Sequence, residues 1–234
     1  MNDFIKYKQE PLVSIITTTY NRAPYLSQCI NSVLNQSHKN IEYIILNDGS
    51  TDSTTELLNT FKDSRLKILN YEKNEGINLR LTHAFNIAKG EYVGVVDSDD
   101  FIERTCIEDC LANIGSAGMI YTQCSYFGDK YGIVPMCNYK YSKEALLSIF
   151  MTFHFRLFRT SLWSQIKTLS PTTNAWDYDL SLRLSEITNI IHIKKPLYNW
   201  RIHKGNIHKN KDQIRKDLKI IKNNAKLRRG LNLE

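Results

Sequence analysis

Gly90-Glu91-Tyr92-Val93-Gly94-Val95-Val96-Asp97-Ser98-Asp99-Asp100 is the most informative segment of the chain. An apolar run of strand type leads straight into carboxylates at positions 97, 99 and 100. A strand that ends this way delivers hard oxygen atoms to the rim of a sheet, where open α/β folds place their ligands. Oxygens of that kind suit Mg2+ or Mn2+ held together with a substrate phosphate. Taken alone, the same residues also read as a solvated acidic turn.

Upstream of this stretch, strand and helix patterns alternate. Residues 12–19 are rich in β-branched side chains and read as a buried strand. Leu26, Ile30, Val33 and Leu34 fall at helical spacing within 25–36, and 41–46 is a second strand. The turn Asp48-Gly49-Ser50-Thr51-Asp52 leads to a helix over 54–61 and offers Ser and Asp side chains as caps. A strand over 66–71, a helix over 79–89 and the strand 92–97 complete the succession. Strand–helix alternation of this kind predicts a mainly parallel central sheet flanked by helices.

Downstream, the pattern is less regular. Helices are expected over 103–114, 143–150, 161–166 and 179–187, and strands over 119–124 and 155–158. Residues 126–137 read as irregular, 190–193 and 197–202 as a strand pair around Pro196, and 212–229 as a basic helix. Ile214, Leu218, Ile221 and Ala225 form one apolar stripe on that last helix.

The 234 residues and 42% hydrophobic content suffice for one full core. No apolar run approaches the length needed to span a bilayer, and 1–10 lacks the apolar centre of a secretion signal. A cytoplasmic setting is the expectation. Five cysteines, at 29, 106, 110, 124 and 137, lack the spacing of a disulfide framework and read as buried thiols. The net charge of +7 is uneven. Residues 194–234 hold 13 Lys and Arg against 3 Asp and Glu, whereas the remainder is slightly acidic. Such a tail suits an anionic lipid surface or an acidic polymer, or is simply a solvated helix face. Nucleic acid is not the expected partner, because no aromatic residue interleaves the basic run after Trp200.

Gly-x-Gly-x-x-Gly and Gly-Lys-Ser/Thr phosphate loops are both missing, which disfavours dinucleotide enzymes and P-loop NTPases. Polar clusters instead follow each of the first four strands: Thr17-Thr18-Thr19-Tyr20-Asn21-Arg22, Asn47-Asp48-Gly49-Ser50, Asn74-Glu75-Gly76 and Asp97-Ser98-Asp99. In a parallel sheet all four converge on one edge, which predicts a shared ligand site.

Together these clusters resemble the nucleotide-sugar half of family 2 glycosyltransferases with the GT-A fold. Further along come Tyr141-Ser142-Lys143-Glu144, His154-Phe155-Arg156-Leu157-Phe158, Asn174-Ala175-Trp176-Asp177-Tyr178-Asp179, Tyr198-Asn199 and His203. That succession is similar to the N-acetylhexosamine-transferring domain of the bacterial two-domain hyaluronan and chondroitin synthases. The resemblance implies a GT-A domain over 1–208, with a donor half of about 12–100 and an acceptor half of about 101–208, and a basic helical tail over 209–234.

Roles follow from the resemblance, residue by residue. Tyr20 would lie against uracil, Asp48 would accept the uracil N–H, and the backbone near Thr18 would line that pocket. Thr19, Arg22, Asn74 and Ser98 belong to the same donor-binding edge, with Arg80 as a diphosphate contact. Asp97 would contact the ribose or the surroundings of the metal. Asp99 and His203 would coordinate Mn2+ or Mg2+. His154 and Arg156 would form the sugar or acceptor side, and Asp177 would be the base. From the residues alone, Asp177 is also a candidate helix cap, and Asp179 shares that ambiguity.

The expected activity is inverting, metal-dependent transfer of GlcNAc or GalNAc from a UDP-sugar. The acceptor would be a saccharide or a lipid-linked oligosaccharide in bacterial surface polysaccharide synthesis, a glucuronate terminus fitting the basic tail. That tail would also allow peripheral contact with the inner membrane face. Use of UDP-glucose or UDP-galactose, or a non-catalytic UDP-sugar-binding module, are the competing readings.

Overall fold

The structure is a computed structural model that describes residues 10–170, 175–203 and 211–232. Asn174 of the motif around Asp177, and the expected domain boundary at 208/209, lie outside the described residues.

Strands β1 (Val13–Thr19), β2 (Ile41–Asn47), β3 (Leu66–Asn70) and β4 (Tyr92–Val95) alternate with helices α1 (Ala23–Leu34), α2 (Thr54–Thr60) and α3 (Ile77–Ile87). Then come β5 (Phe101–Ile102), α4 (Cys106–Ile114), β6 (Met119–Gly128), β7 (Gly132–Ile133), α5 (Ala145–Ser148), β8 (Arg156–Arg159) and α6 (Trp163–Ile166). The last elements are α7 (Trp176–Ile187), β9 (Ile190–Ile202) and α8 (Lys211–Arg228).

All strands join one sheet in the order β3-β2-β1-β4-β8-β6-β9-β5, with β7 on the side of β6. The first four are mutually parallel, so their carboxyl ends share one edge as expected. Beyond β4 the sheet is mixed: β8 runs antiparallel to both β4 and β6, while β6 and β9 are parallel.

Period-two alternation gives the sheet two buried faces. Val13, Ile15, Tyr43, Ile45, Tyr92, Val96, Ile120 and Leu157 face one apolar layer, with Leu26, Ile30 and Val33 of α1 and Ile107 of α4. Ile16, Ile44, Leu46, Val93, Val95, Met119 and Phe158 face the other, with Leu81 and Phe85 of α3 and Leu180 and Leu184 of α7. Ile221 and Ala225 of α8 close a smaller cluster with Leu146, Met151, Tyr178 and Leu182, with Leu218 partly buried beside them, so the C-terminal part of the basic helix's apolar stripe packs against α5 and α7.

Three local expectations change. Strand β6 runs on to Gly128, through residues expected to be irregular, because the second half of β9 pairs with it. The expected strand pair around Pro196 is one strand, β9. Its register against β6 shifts at Thr122/Gln123 and Gln123/Cys124, and this bulge takes up Pro196, which has no N–H to donate to a ladder. The helix expected over 143–150 shrinks to α5.

Candidate active site

The loops after β1 and β2 are tied together by two side chains. Asn21, at φ 53°, accepts Thr51 N–H on its Oδ1 at 2.8 Å. Asp52 accepts from Thr54 N at 3.0 Å and from Ala23 N at 3.3 Å, so one carboxylate holds the first turns of α1 and α2. Gly49 lies in the left-handed region at φ 72° directly beneath the next loop. A Cβ there would sit 2.6 Å from the Lys73 carbonyl carbon and 2.7 Å from Asn74 N.

Asp48 is buried in this corner. Its Oδ1 accepts from Arg80 Nε at 2.5 Å and Glu75 N at 3.1 Å, and its Oδ2 accepts from Gly76 N at 2.8 Å. A carboxylate offers about four lone-pair sites, so Oδ2 keeps one acceptor position. Arg80 is occupied differently from the expectation. Its guanidinium is buried against Asp48, bonds Glu75 and the Lys73 carbonyl, and lies over the Tyr71 ring at 3.6 Å. It organises the loop over this edge of the sheet. Tyr20 is exposed at the end of β1, Thr18 is half-buried, and Asn74 is exposed on the loop above Gly49. Thr19 is buried, and its hydroxyl has no hydrogen-bond partner among the described residues.

The acidic end of β4 divides its carboxylates. Asp100 turns inward. Tyr198 Oη donates to its Oδ2 at 2.7 Å and Arg201 N to its Oδ1 at 2.7 Å. Burial, reinforced by Asp99 and Asp97, pushes its carboxyl well above the usual range. Asp100 therefore fastens β4 to β9. Asp99 faces Arg22 Nε at 3.4 Å and His203 Nε2 at 3.0 Å, and Ser98 is buried between the two outward carboxylates. Burial, with Asp99 and Asp177 adding like charge, pushes the Asp97 carboxyl up to about 7, against the pull of Arg156.

His154 joins this edge to the second half of the chain. Its Nε2 is 3.4 Å from Asp97 Oδ2 and 3.7 Å from Asp177 Oδ2, and its ring stacks on Tyr198 at 4.8 Å. Arg156, on β8, donates to Asp177 Oδ2 at 2.9 Å and to the Thr152 carbonyl at 2.6 Å. Helix α7 starts earlier than expected, with Ala175 at its cap position, so Asp177 lies in the first turn and is not the cap. The helix dipole favours a carboxylate there. Asp179 is buried and committed to Arg183 at 3.0 Å and Ser170 N at 3.3 Å, which leaves Asp177 as the carboxylate facing the cluster.

The structure thus gathers Arg22, Asp97, Asp99, His154, Arg156, Asp177 and His203 into one cluster, with Asp48 and Tyr20 along the same sheet edge. Asp100 and Tyr198 stand in the sequence motifs without an assigned role, and Arg201 stands in none of them. Only the unusual density of acids at 97–100 hinted that one of them serves the fold. Beneath the cluster, Thr17 Oγ1 donates to the Val96 carbonyl at 2.7 Å and Cys29 Sγ to the Asp97 carbonyl at 3.4 Å, fixing the end of β4 from below.

Among the described residues, no three His, Cys, Asp or Glu side chains are placed so that they could together hold a metal ion. Asp99 and His203 do meet. One carboxylate with an imidazole is a donor set that fits Mn2+ or Mg2+ when substrate phosphates and waters complete the shell.

The sequence profile described as Glycosyl transferase family 2 matches residues 14–166. The chain belongs to glycosyltransferase family 2. This family 2 chain is 35% identical to the chondroitin synthase of Escherichia coli over 219 residues, covering 90% of this chain and 32% of that enzyme. It is 34% identical to the hyaluronan synthase of Pasteurella multocida over 227 residues, 94% of this chain and 23% of that enzyme. The chain therefore spans about a quarter to a third of these relatives. Among solved structures, S. aureus TarS 1–349 in complex with UDP-GlcNAc superposes with a TM-score of 0.78 at 21% identity, over 95% of this chain and 68% of that one. The mannosyltransferase PcManGT from Pyrobaculum calidifontis, in complex with GDP-Man and Mn2+, gives 0.71 at 18% identity, over 90% of this chain and 63% of that one. The family 2 chain has the GT-A fold. Among its described residues, no helix is long and apolar enough to cross a membrane.

Proposed function

We propose that this glycosyltransferase moves GlcNAc or GalNAc from a UDP-sugar to a saccharide acceptor, with inversion at the anomeric carbon and dependence on a divalent cation. The observation that carries the reading is the bridge from Asp97 through His154 to Asp177. It joins the end of β4 to Asp177, the α7 carboxylate on that side of the helix. Similarity to a chondroitin synthase and a hyaluronan synthase supports an N-acetylhexosamine donor, and the UDP-GlcNAc complex of a structural neighbour supports UDP.

In this reading Tyr20 and the free acceptor position of Asp48 receive uracil, with Thr18, Thr19 and Asn74 around it. Arg22, Asp97 and Ser98 border the ribose and diphosphate. Asp99 and His203 would hold the cation, which as a Lewis acid neutralises charge on the departing UDP. The acceptor hydroxyl is a poor nucleophile, and Asp177 takes its proton as attack proceeds. Arg156 and His154 hold that carboxylate in place. One base and one displacement turn an α-linked donor into a β-linked product. The acceptor fits a surface polysaccharide or a lipid-linked oligosaccharide ending in glucuronate. The basic character of 194–234 favours such an acidic chain or an anionic inner-membrane surface.

UDP release from a panel of UDP-sugars, with Mn2+, Mg2+ or EDTA, tests the reading. Turnover confined to a UDP-N-acetylhexosamine, stimulated by a glucuronate-terminated oligosaccharide and abolished by EDTA, is expected. Preference for UDP-glucose or UDP-galactose would replace the donor assignment. UDP binding without turnover on any donor would point to a binding module.

A further inference from the structure

A row of partly buried aromatic side chains leaves the candidate active site and has no part in the roles above. Phe150 lies beneath Arg156, whose guanidinium carbon is 5.5 Å from the ring centre and which holds Asp177. Phe153 follows at 5.0 Å from Phe150, Trp200 at 5.9 Å from Phe153, and Tyr126 at 5.5 Å from Trp200. Each ring is inclined to the next by 22° to 38°, and the row runs along the margin of the apolar layers, against which all four side chains pack on one side.

The backbone explains the alignment. Tyr126 and Trp200 are register partners on the parallel pair β6 and β9. Tyr198, two residues before Trp200, points to the same face and stacks on His154. Phe153 immediately precedes His154. All four residues are partly exposed, although their neighbours Cys124, Tyr198 and His154 are buried. At the outer end, Lys130 places its ammonium 4.0 Å from the Tyr126 ring centre.

We infer that Phe150, Phe153, Trp200 and Tyr126 form an extended subsite for the acceptor, a saccharide chain of several units that carries carboxylates. The inference rests on the reading of Asp177 as the acceptor-side base. The row starts beside the Asp177–Arg156 pair, so a chain whose terminal hydroxyl reaches Asp177 has its preceding sugars over these rings. Sugar rings present flat C–H faces that suit aromatic surfaces, with hydroxyls left to water at the rim. A partly exposed aromatic band continuous with a polar catalytic cluster is the composition of a ligand groove. Lys130 supplies a cation where a uronate would lie, which selects an acidic saccharide over a neutral one.

The test compares acceptors of alternating N-acetylhexosamine and glucuronate, from disaccharide to hexasaccharide, in the wild type and in Trp200→Ala, Trp200→Phe, Phe153→Ala and Tyr126→Ala. UDP binding and thermal melts serve as controls for folding. In the wild type, the acceptor KM should fall as the chain lengthens. Trp200→Ala should raise the hexasaccharide KM about tenfold, to the disaccharide level, with the KM for UDP-GlcNAc unchanged, and Trp200→Phe should keep most of the gain. Tyr126→Ala, at the solvent end of the row, repeats the test where truncation disturbs the core least. Folded variants with an unaltered length dependence would overturn the subsite. So would variants that lose binding to anionic vesicles while their acceptor kinetics stay intact. If Asp177→Asn transferred at the wild-type rate, the base reading would fail, whatever the length dependence showed.

Discussion

Asp48 and Asp177 are both acids gripped by an arginine, and the two pairs do different work. The Asp48–Arg80 pair is almost wholly buried, each side chain being 5% exposed, and also fixes two backbone amides. Removing one partner of such a pair strands a buried charge and costs about 3–5 kcal/mol. Arg80→Met is therefore expected to lower the unfolding free energy by about that amount in urea titrations, and to weaken UDP binding because the Glu75 carboxylate and the Lys73 carbonyl lose their partner. Unchanged stability would show that Asp48 is held by the loop alone. The turn at Asp48-Gly49 is legible in the sequence because Asp-Gly after a strand is a turn signal, whereas the role of Asp48 came only from the resemblance. The role of Arg80 is not, because its partner is 32 residues away and a helix surface arginine looks the same whether it faces solvent or core. The same blindness applies to Asp100, whose partners Tyr198 and Arg201 are about a hundred residues distant.

At the scale of elements, the donor edge is a set of strand ends held in register by the loops between them. Gly49 is where that arrangement is tightest, since its turn sits against the Lys73–Asn74 backbone. Gly49→Ala requires both a left-handed φ and space that backbone atoms occupy. A loss of more than about 1 kcal/mol is expected, with UDP affinity falling in parallel by titration calorimetry. A neutral effect would mean that the loop after β3 moves freely away from the turn. The β1-to-β4 succession was readable because each strand and helix carries its own local periodicity. The downstream half was less so. Strand β6 owes its last residues to β9, and β9 is continuous only because β6 absorbs a bulge at Pro196. Neither fact is written in the local pattern of either segment. The start of α7 also needed tertiary context, since Trp176 enters the helix by packing into the layer beside α3.

For the whole molecule, one sheet buried on both faces brings residue 22 to residue 99, and residue 97 through residue 154 to residue 177. The five cysteines are buried in the layers that support this arrangement, and burial pushes the Cys29 thiol up to about 12. Native protein at neutral pH is therefore expected to resist a thiol reagent and to release all five thiols once unfolded. Rapid labelling of the native state would contradict the packing beneath Asp97. In the proposed reaction one side of the fold holds the UDP-sugar and Asp177 alone takes the acceptor's proton. Single-turnover transfer by Asp177→Asn, measured beside its affinity for UDP, separates these two tasks. Transfer slowed by about 10²-fold or more, with UDP affinity within about twofold of wild type, is the predicted result. Transfer at the wild-type rate with UDP binding intact would contradict it.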